Sequence, residues 1–534
     1  MTSSVPRRSF FAGLAVAGGM LAVPATGFAA PILRQAPDGA ADLIGNPLFG
    51  AGVMAGVPRT DGATLWTRVS GGSAGSAGKL AVVVSRRDDL SSPELTETVT
   101  TGADGTVHFE AAGLRPGEQY FYQFRGRGTE SAIGRFKTLR PADSAEPVRI
   151  GWFACQAFEE GYYAAHRHLA AEDLDLVICL GDYIYEFTKP GVRGVEVNAY
   201  PQLLEQMREK YRKYRSDTDL QLMHSRHAFV PMWDDHEYRN NYWKEGWTGF
   251  GADKVEGAVG FEQKKQWAWQ AWFEHMPVPR FPGAPNRTHR SLRLGKTVEL
   301  WVQDDRQYRD AQPCGDASGV CSAADAGGRS MLGDNQTRWL LDGMSGSDAT
   351  WKVMGNAVMM MGMVTGDDGS RAFMDSWDGY GAERTHILST AAAQIKNMVL
   401  VTGDDHNGYA GELWDTGFAP GTVTGTQVNP PGTKRAAVEY LVPSVTSTNA
   451  GDGGYLPTGT GDPVVAARNE EAARRARNPH AKYINMVDHG YGVLEAAPNE
   501  VQFHFRSVDK LDPNAGVTTR SFRTPSGQSI IEAL

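Results

Sequence analysis

Five apolar runs in this chain stop abruptly on polar side chains, and that pattern limits what the chain can fold into. "IGWFAC" ends on Cys155, "LDLVICLGD" on Asp182, and "VPMWDDHE" on Asp234, Asp235, His236 and Glu237. "ELWVQDDR" ends on Asp304, Asp305 and Arg306, and "LVTGDDH" on Asp404, Asp405 and His406. Short continuous apolar runs suit strands buried on both faces, as in a parallel sheet covered by helices. The helical stretch "GYYAAHRHLAAED" lies between the first two runs and predicts a β-α-β unit. Further strands are predicted at "WKVMGN" and "VEYLVPS". Further helices are predicted at "YPQLLEQMREKYRKYRSD", "EQKKQWAWQAWFEHM", "DNQTRWLLDGM" and "DPVVAARNEEAARRARN", the last as a solvated surface helix.

In open α/β sheets, ligands bind outside the carboxyl ends of the strands. A helix cap or a turn accounts for one polar ending. Five endings on similar strands predict a shared site. Carboxylates brought together without cations raise one another's pKa and repel. Asp, His, Asn and Tyr donors suit hard or borderline metals, and a thiolate adds a soft donor. The pattern therefore points to a hydrolase with two or three metals. Taken alone, Tyr185 is either a ligand or a packed aromatic, and Cys155 reads as a small core hydrophobe. His236 either orients a leaving group or bonds a neighbouring carboxylate. Arg306 either clamps a phosphate or pairs with Asp304 or Asp305. Tyr183 and Cys179 read as packing.

The N-terminus carries a different signal. "RRSFF" precedes the apolar "AGLAVAGGMLAVPA" and the small residues "TGFAA". This reads as a twin-arginine export signal over residues 1–30, cleaved near Ala29 or Ala30. The apolar run is too short for the ~20 residues a membrane span needs. Export by the twin-arginine machinery predicts a periplasmic or secreted protein and suits a cofactor loaded before transport. In that setting Cys314 and Cys321, in the polar loop "PCGDASGVCS", predict a local disulfide.

With 534 residues the chain is long enough for more than one domain. Residues 46–140 read as all-β, from alternating runs such as "ATLWTRV", "KLAVVVS" and "QYFYQFRG". "GLRPGEQYFYQF" resembles the turn at the corner of an immunoglobulin- or fibronectin-like sandwich. "RPADSAEP" is a linker, and residues 148–534 form the α/β part. A formal net charge of -9 and the lack of a long basic tract argue against nucleic acid as a partner. The one G-x-S-x-G, residues 71–75, falls in the Gly- and Ser-rich stretch "GGSAGSAG" with no helical pattern after it, so a serine esterase lacks support.

Together "FACQ", "GDYIYE", "WDDHEYRNNY", "DDRQYR", "SWDGY" and "TGDDHNG" resemble the PhoD-like alkaline phosphatases of the metallophosphoesterase superfamily. "MLGDNQTRWL", "WFEHMPV" and the N-terminal "GVMAGVPRTDGATLWTRV" extend that resemblance over nearly the whole chain past residue 30. The resemblance implies a β-sheet core flanked by helices, preceded by a β-sandwich. It implies one ferric ion held by Cys155 and Tyr185, one or two calcium ions beside it, and Asp182 as the bridge between them. Asp404 and His406 would complete the cluster, with Asp235 and either Asn240 or Asn241 on the calcium side. Arg306 would bind the substrate phosphate. Arg239 departs from the expected pattern and is either a further phosphate contact or a solvent-facing residue. Asp405 also departs from it, and on a strand-like segment it should point away from Asp404.

The implied activity is hydrolysis of phosphate monoesters, diesters or both. A phospholipase D-type action on phospholipids is the alternative, with Trp243, Trp247, Phe250 and Trp377 either forming an apolar mouth or simply packing. A cell-surface binding protein is the second alternative, and the metal-ligand pattern argues against it as the sole role.

Overall fold

The computed structural model of the protein describes residues 47–70, 78–194, 200–247, 259–424, 427–454, 456 and 461–534. The export segment 1–30 and Phe250 lie outside the described residues.

The apolar runs form strands that fall into two large sheets. One is ten-stranded, and its centre is the parallel trio Val148–Phe153, Leu176–Cys179 and Ala228–Pro231. The other is seven-stranded, built on the parallel set Val298–Val302, Trp351–Asn356, Met398–Thr402 and Arg435–Leu441. Side-chain alternation places the two faces of each strand in different surroundings. In "LVICL", Leu176, Ile178 and Leu180 join a core shared with Leu300, Val353 and Leu400 of the second sheet. Val177 and Cys179 face the opposite way, into a core with Leu169, Met223 and Trp272 of the covering helices. Each such buried aliphatic contributes roughly 1.5–3 kcal/mol over an exposed one. Helices Gly333–Gly346 and Gly381–Gln394 place Leu340, Ile387 and Leu388 in the first of these cores, the one shared by the two sheets.

The predicted strands and helices are present, with two helices added. Thr218–Arg226 is capped by Asp217, whose side chain accepts from the Leu220 amide at 2.9 Å. Gly381–Gln394 follows the "SWDGY" turn. The helix Pro463–Arg477 is not simply solvated: Ala467, Glu471 and Arg474 are buried, and Arg474 reaches the Tyr409 hydroxyl at 3.2 Å. The Asp405 carboxylate accepts from Asn407 at 2.6 Å; burial raises it, and Arg474 opposes that rise.

The all-β N-terminal region divides between sheets. Pro93–Thr100, Lys79–Ser85, Gln119–Gly126, Thr129–Glu130 and Gly134–Lys137 form a five-stranded sheet. Val53–Arg59, Gly62–Arg68 and Thr106–Ala111 instead extend the ten-stranded sheet, Val53–Arg59 pairing in parallel with Ala228–Pro231. Leu65, Val82, Tyr120 and Phe136 pack into one core. The Tyr120 hydroxyl accepts from the Arg115 amide at 2.8 Å, the arrangement of a tyrosine corner. At the other end, "VQFHFRSVD" lies in the strand Glu500–Val508, which pairs with Gly490–Ala496 and Val517–Pro525 and so continues the sheet.

Candidate metal centre

The parallel strands of both sheets present their carboxyl ends to one site. Cys155 follows Val148–Phe153, Asp182 follows Leu176–Cys179, and Asp234 to Glu237 follow Ala228–Pro231. Asp404 and His406 follow Met398–Thr402 from the other sheet. The turns that carry them are tight. Cys155, Asp182, Asn241, Asp404 and His406 all have positive φ, between 50° and 67°. A left-handed backbone is costly for a residue with a side chain, and it clusters where function holds it in place.

Three overlapping groups of donors result. Cys155, Asp182 and His406 offer atoms that all lie within 4.8 Å of one another; so do Asp182, Asp235 and His236, and so do Asp234, Asp235 and Asp404. Asp182 belongs to the first two groups and Asp235 to the last two, so two carboxylates connect the whole cluster. The Tyr185 hydroxyl donates to Asp182 Oδ2 at 2.7 Å and lies 3.1 Å from His406 Nε2. His406 Nδ1 lies 2.8 Å from the Thr448 carbonyl, so a proton on Nδ1 leaves Nε2 facing the donors.

The electrostatics are those of a crowded anionic cavity. Burial, with Asp235, Asp234 and Glu237 adding and His236 opposing, pushes Asp182 well above the usual carboxylate range. Asp404 is pushed the same way by burial and Asp234, against Arg306. Burial and the neighbouring Asp182 raise both the Cys155 thiol and the Tyr185 phenol. Burial alone would lower His236, but Glu186, Asp235 and Asp182 carry it well above its ordinary value. Its Nδ1 lies 2.6 Å from Glu186, and its ring stacks on Tyr185 with centroids 4.2 Å apart. Of its two sequence readings, the bonded-carboxylate one describes its contact here.

Arg306 is fully buried and takes different partners from those its sequence neighbours suggest. Its guanidinium donates to Asp234, to Asp375 at 2.6 Å and to Asp404 at 3.1 Å, while its backbone amide donates to the Asp304 carboxylate at 3.2 Å. The Asp304 and Asp305 side chains turn to other groups: Asp304 to Thr288 and Gln307, Asp305 to the Ala357 amide at 2.7 Å. Arg239 does not face solvent. It is buried, with its guanidinium 3.8 Å from the Trp247 ring centroid, and it helps line a cavity with Glu186, Tyr200, Tyr238 and Lys264. The Asn241 amide donates to Asp235 at 2.7 Å and its side chain to Asp316 at 2.5 Å. The Asn240 amide donates to Glu186 at 2.8 Å. Cys314 and Cys321 are disulfide-bonded, with Cα atoms 6.2 Å apart. Trp377 is fully buried and donates to Asn356 at 3.1 Å, so it packs.

Three residues matter here beyond those the sequence assigned. Asp234 belongs to one of the donor groups. Glu237 accepts the amides of Tyr183 (2.7 Å), Asp234 (2.9 Å) and Asp182 (3.3 Å), tying two strand tips together. Asp375 holds Arg306 and Arg309; burial works against its charge, but the two guanidiniums keep it below the usual carboxylate range. Both Asp234 and Glu237 lie in "WDDHE", where the run of acids was the signal, whereas Asp375 stands just outside "SWDGY".

The donor set fits cations. Asp182 Oδ1 and Asp234 Oδ2 are buried and accept no hydrogen bond. Orphaned carboxylate oxygens are expensive in a dry interior unless a positive group meets them.

The comparisons agree with this geometry. The family model for PhoD-like phosphatases matches residues 150–505, and the model for the N-terminal domain of PhoD-like phosphatases matches residues 35–140. Alkaline phosphatase D of Bacillus subtilis (strain 168) is 29% identical over 495 residues, covering 89% of this chain and 80% of the relative. A solved structure of PhoD superposes with a TM-score of 0.81 at 28% identity, covering 92% of this chain and 93% of that one. The purple acid phosphatase PPD1 of yellow lupin shares the fold, with a TM-score of 0.53 at 11% identity over 88% of this chain and 73% of its own. The fold and these likenesses define a phosphoric ester hydrolase. The chain belongs to the PhoD-like phosphatase family.

Proposed function

We propose that the protein is an exported, metal-dependent phosphatase that cleaves phosphate monoesters and diesters at the centre built on Asp182 and Asp235. The observation that carries the reading is the sharing of those two carboxylates among three donor groups, all buried except for Asp404. Asp182, Cys155, Tyr185 and His406 would hold a ferric ion. Asp182, Asp235, Asp234 and Asp404, with Asn240 or Asn241, would hold one or two calcium ions. Bound cations supply polarisation of the phosphoryl oxygens, acidification of a water, and charge compensation for the departing oxygen.

The chain's own residues do the rest. Arg306 keeps its charge and is fixed by Asp375, so its fork can turn from Asp234 and Asp404 toward a phosphoryl group. His236, held by Glu186 and pushed above its ordinary value by the carboxylates of Glu186, Asp235 and Asp182, stands as the proton donor for a leaving oxygen. Export rests on the twin-arginine pattern at residues 1–30. Among the described residues no helix is long and apolar enough to cross a membrane.

A panel of chromogenic monoesters, diesters and phospholipids, assayed with elemental analysis of the pure protein, tests this. Turnover of monoesters and diesters by iron- and calcium-bearing protein is the expected result. A fully active protein free of both metals overturns the ligand reading, and turnover confined to phospholipids favours the phospholipase alternative.

A further inference from the structure

The segment 444–452, "SVTSTNAGD", is laced onto the turn that carries Cys155. The Val445 amide donates to the Ala154 carbonyl at 3.1 Å, and the amides of Thr446 and Ser447 donate to the Cys155 carbonyl at 3.3 and 3.2 Å. Thr448 meets His406 Nδ1 from the same segment. Ser447, itself 1% exposed, sits between the two sides of the site. Its Oγ accepts from the Ala157 amide at 3.1 Å and donates to Tyr185 Oη at 2.8 Å. A hydroxyl has one proton to give. With the Ala157 amide on its acceptor side, that proton is directed at the phenolic oxygen.

The segment is braced from behind. Ser444 Oγ donates to the Ser447 carbonyl at 2.5 Å and lies 3.0 Å from His489 Nδ1. His489 Nε2 lies 3.0 Å from Asp452, which also accepts from Lys510 Nζ at 2.6 Å. That chain reaches the cluster through Ser447 and Thr448, and through the Ser444 amide, which donates to the His406 carbonyl at 3.2 Å. Its effect is to fix the Ser447 hydroxyl in place.

We propose that Ser447 is a positioning residue for Tyr185: its hydroxyl holds the phenolic oxygen in the site and sets how strongly that oxygen donates to a ferric ion. The inference rests on the proposed reading of Tyr185 as an iron ligand. As a phenol, Tyr185 donates a hydrogen bond to Asp182. A phenolate has no proton to give, so its bond to Asp182 is lost while the bond from Ser447 persists and strengthens. A donor bonded to a phenolate draws electron density from it, which raises the energy of phenolate-to-iron charge transfer. Partners beyond the ligands commonly change metal affinity or activity by about 10–100-fold.

The test compares the full chain loaded with ferric ion as wild type, Ser447→Ala and Ser447→Thr. The Ser447→Ala variant should show its visible charge-transfer band at longer wavelength and hold iron about 10–100-fold less tightly. Ser447→Thr retains the hydroxyl and should keep the wild-type band. A band that does not move in Ser447→Ala overturns the proposal while leaving Tyr185 as a ligand, even if the variant is less stable through the lost Ala157 contact. No band in iron-loaded wild type overturns the ligand reading and the proposal with it. Should Ser447→Ala fail to fold, Ser447→Cys, with its weak S–H donor, gives the same comparison.

Discussion

Gly181 lies directly against Asp234: a Cβ placed on Gly181 would collide with the Asp234 Cβ and crowd its carboxylate carbon at 3.1 Å. The same glycine has φ 109°, a region that residues with side chains avoid. Two strand tips thus approach as closely as backbone and side chain allow, and this closeness lets Asp182 and Asp234 serve one cluster. Gly181→Ala should lose about 1–3 kcal/mol of stability, the scale of one strained backbone position, and most of its activity. Denaturant unfolding with a phosphatase assay checks both, and a variant with wild-type values for both would contradict the close approach.

Asp182→Asn keeps the size of the side chain and removes the charge that two donor groups share. Turnover should fall by at least about 100-fold, the scale of removing one electrostatic stabiliser of a transition state. The fold should survive, because an amide in place of a strongly crowded carboxylate relieves repulsion from Asp235 and Asp234. Circular dichroism and steady-state rates measured together read the two effects separately.

Removing cations should weaken the protein as well as silence it. Ligands that bind only the folded state stabilise it by mass action. Chelator should therefore lower the thermal midpoint of the wild type and abolish turnover, and should shift the midpoint of Asp182→Asn less. Equal shifts in the two proteins would place the relevant cation elsewhere.

Acid should destabilise the protein through buried neutral histidines far from this site. His480 meets the Gly362 carbonyl at 2.8 Å and His227 meets the Leu169 carbonyl at 3.1 Å. Burial pushes them down to about 4 and about 3, from an ordinary value of 6.5. Above pH 6.5 both states leave these rings neutral and no stability is lost. Below it the unfolded chain takes up protons that the folded chain refuses, so stability falls until the pH reaches the folded values. At its limit the loss approaches about 3 kcal/mol for His480 and about 5 kcal/mol for His227. Urea midpoints between pH 7 and pH 4 measure it, and His480→Gln should flatten the slope.

The carboxylates and His406 were legible because each sits at the end of an apolar run, where a change from buried to polar chemistry is visible within ten residues, whereas Cys155 and Tyr185 entered only through the family resemblance. "GDYIYE" and "GDDH" announce themselves in that way. Ser447 does not: a serine in "SVTSTNAGD" is ordinary loop composition, and its value comes from a tyrosine 262 positions earlier in the chain. Asp375 was hidden for the same reason, since its partners Arg306 and Arg309 reach it only in three dimensions. Helix Thr218–Arg226 was missed because its apolar spacing merges with the helix before it, and Asp217, its cap, reads equally as a turn residue. The division of the N-terminal strands between two sheets depends on pairing between distant segments, which alternation along one strand does not encode.

Parallel pairing of Val53–Arg59 with Ala228–Pro231 makes the N-terminal strands a wall beside the strand that leads into Asp235. Indole Nε1 of Trp66 reaches the Glu274 carbonyl at 2.9 Å, and His108 Nε2 lies 2.9 Å from the Met276 carbonyl, so the helix Phe261–His275 leans on the same wall. A chain cut at the linker would leave the strand that delivers Asp235 with a bare edge, open to pairing with any other extended segment. Val53–Arg59, Gly62–Arg68 and Thr106–Ala111 are then three of the ten strands of the sheet that leads into the site, and residues 148–534 alone would keep only the other seven.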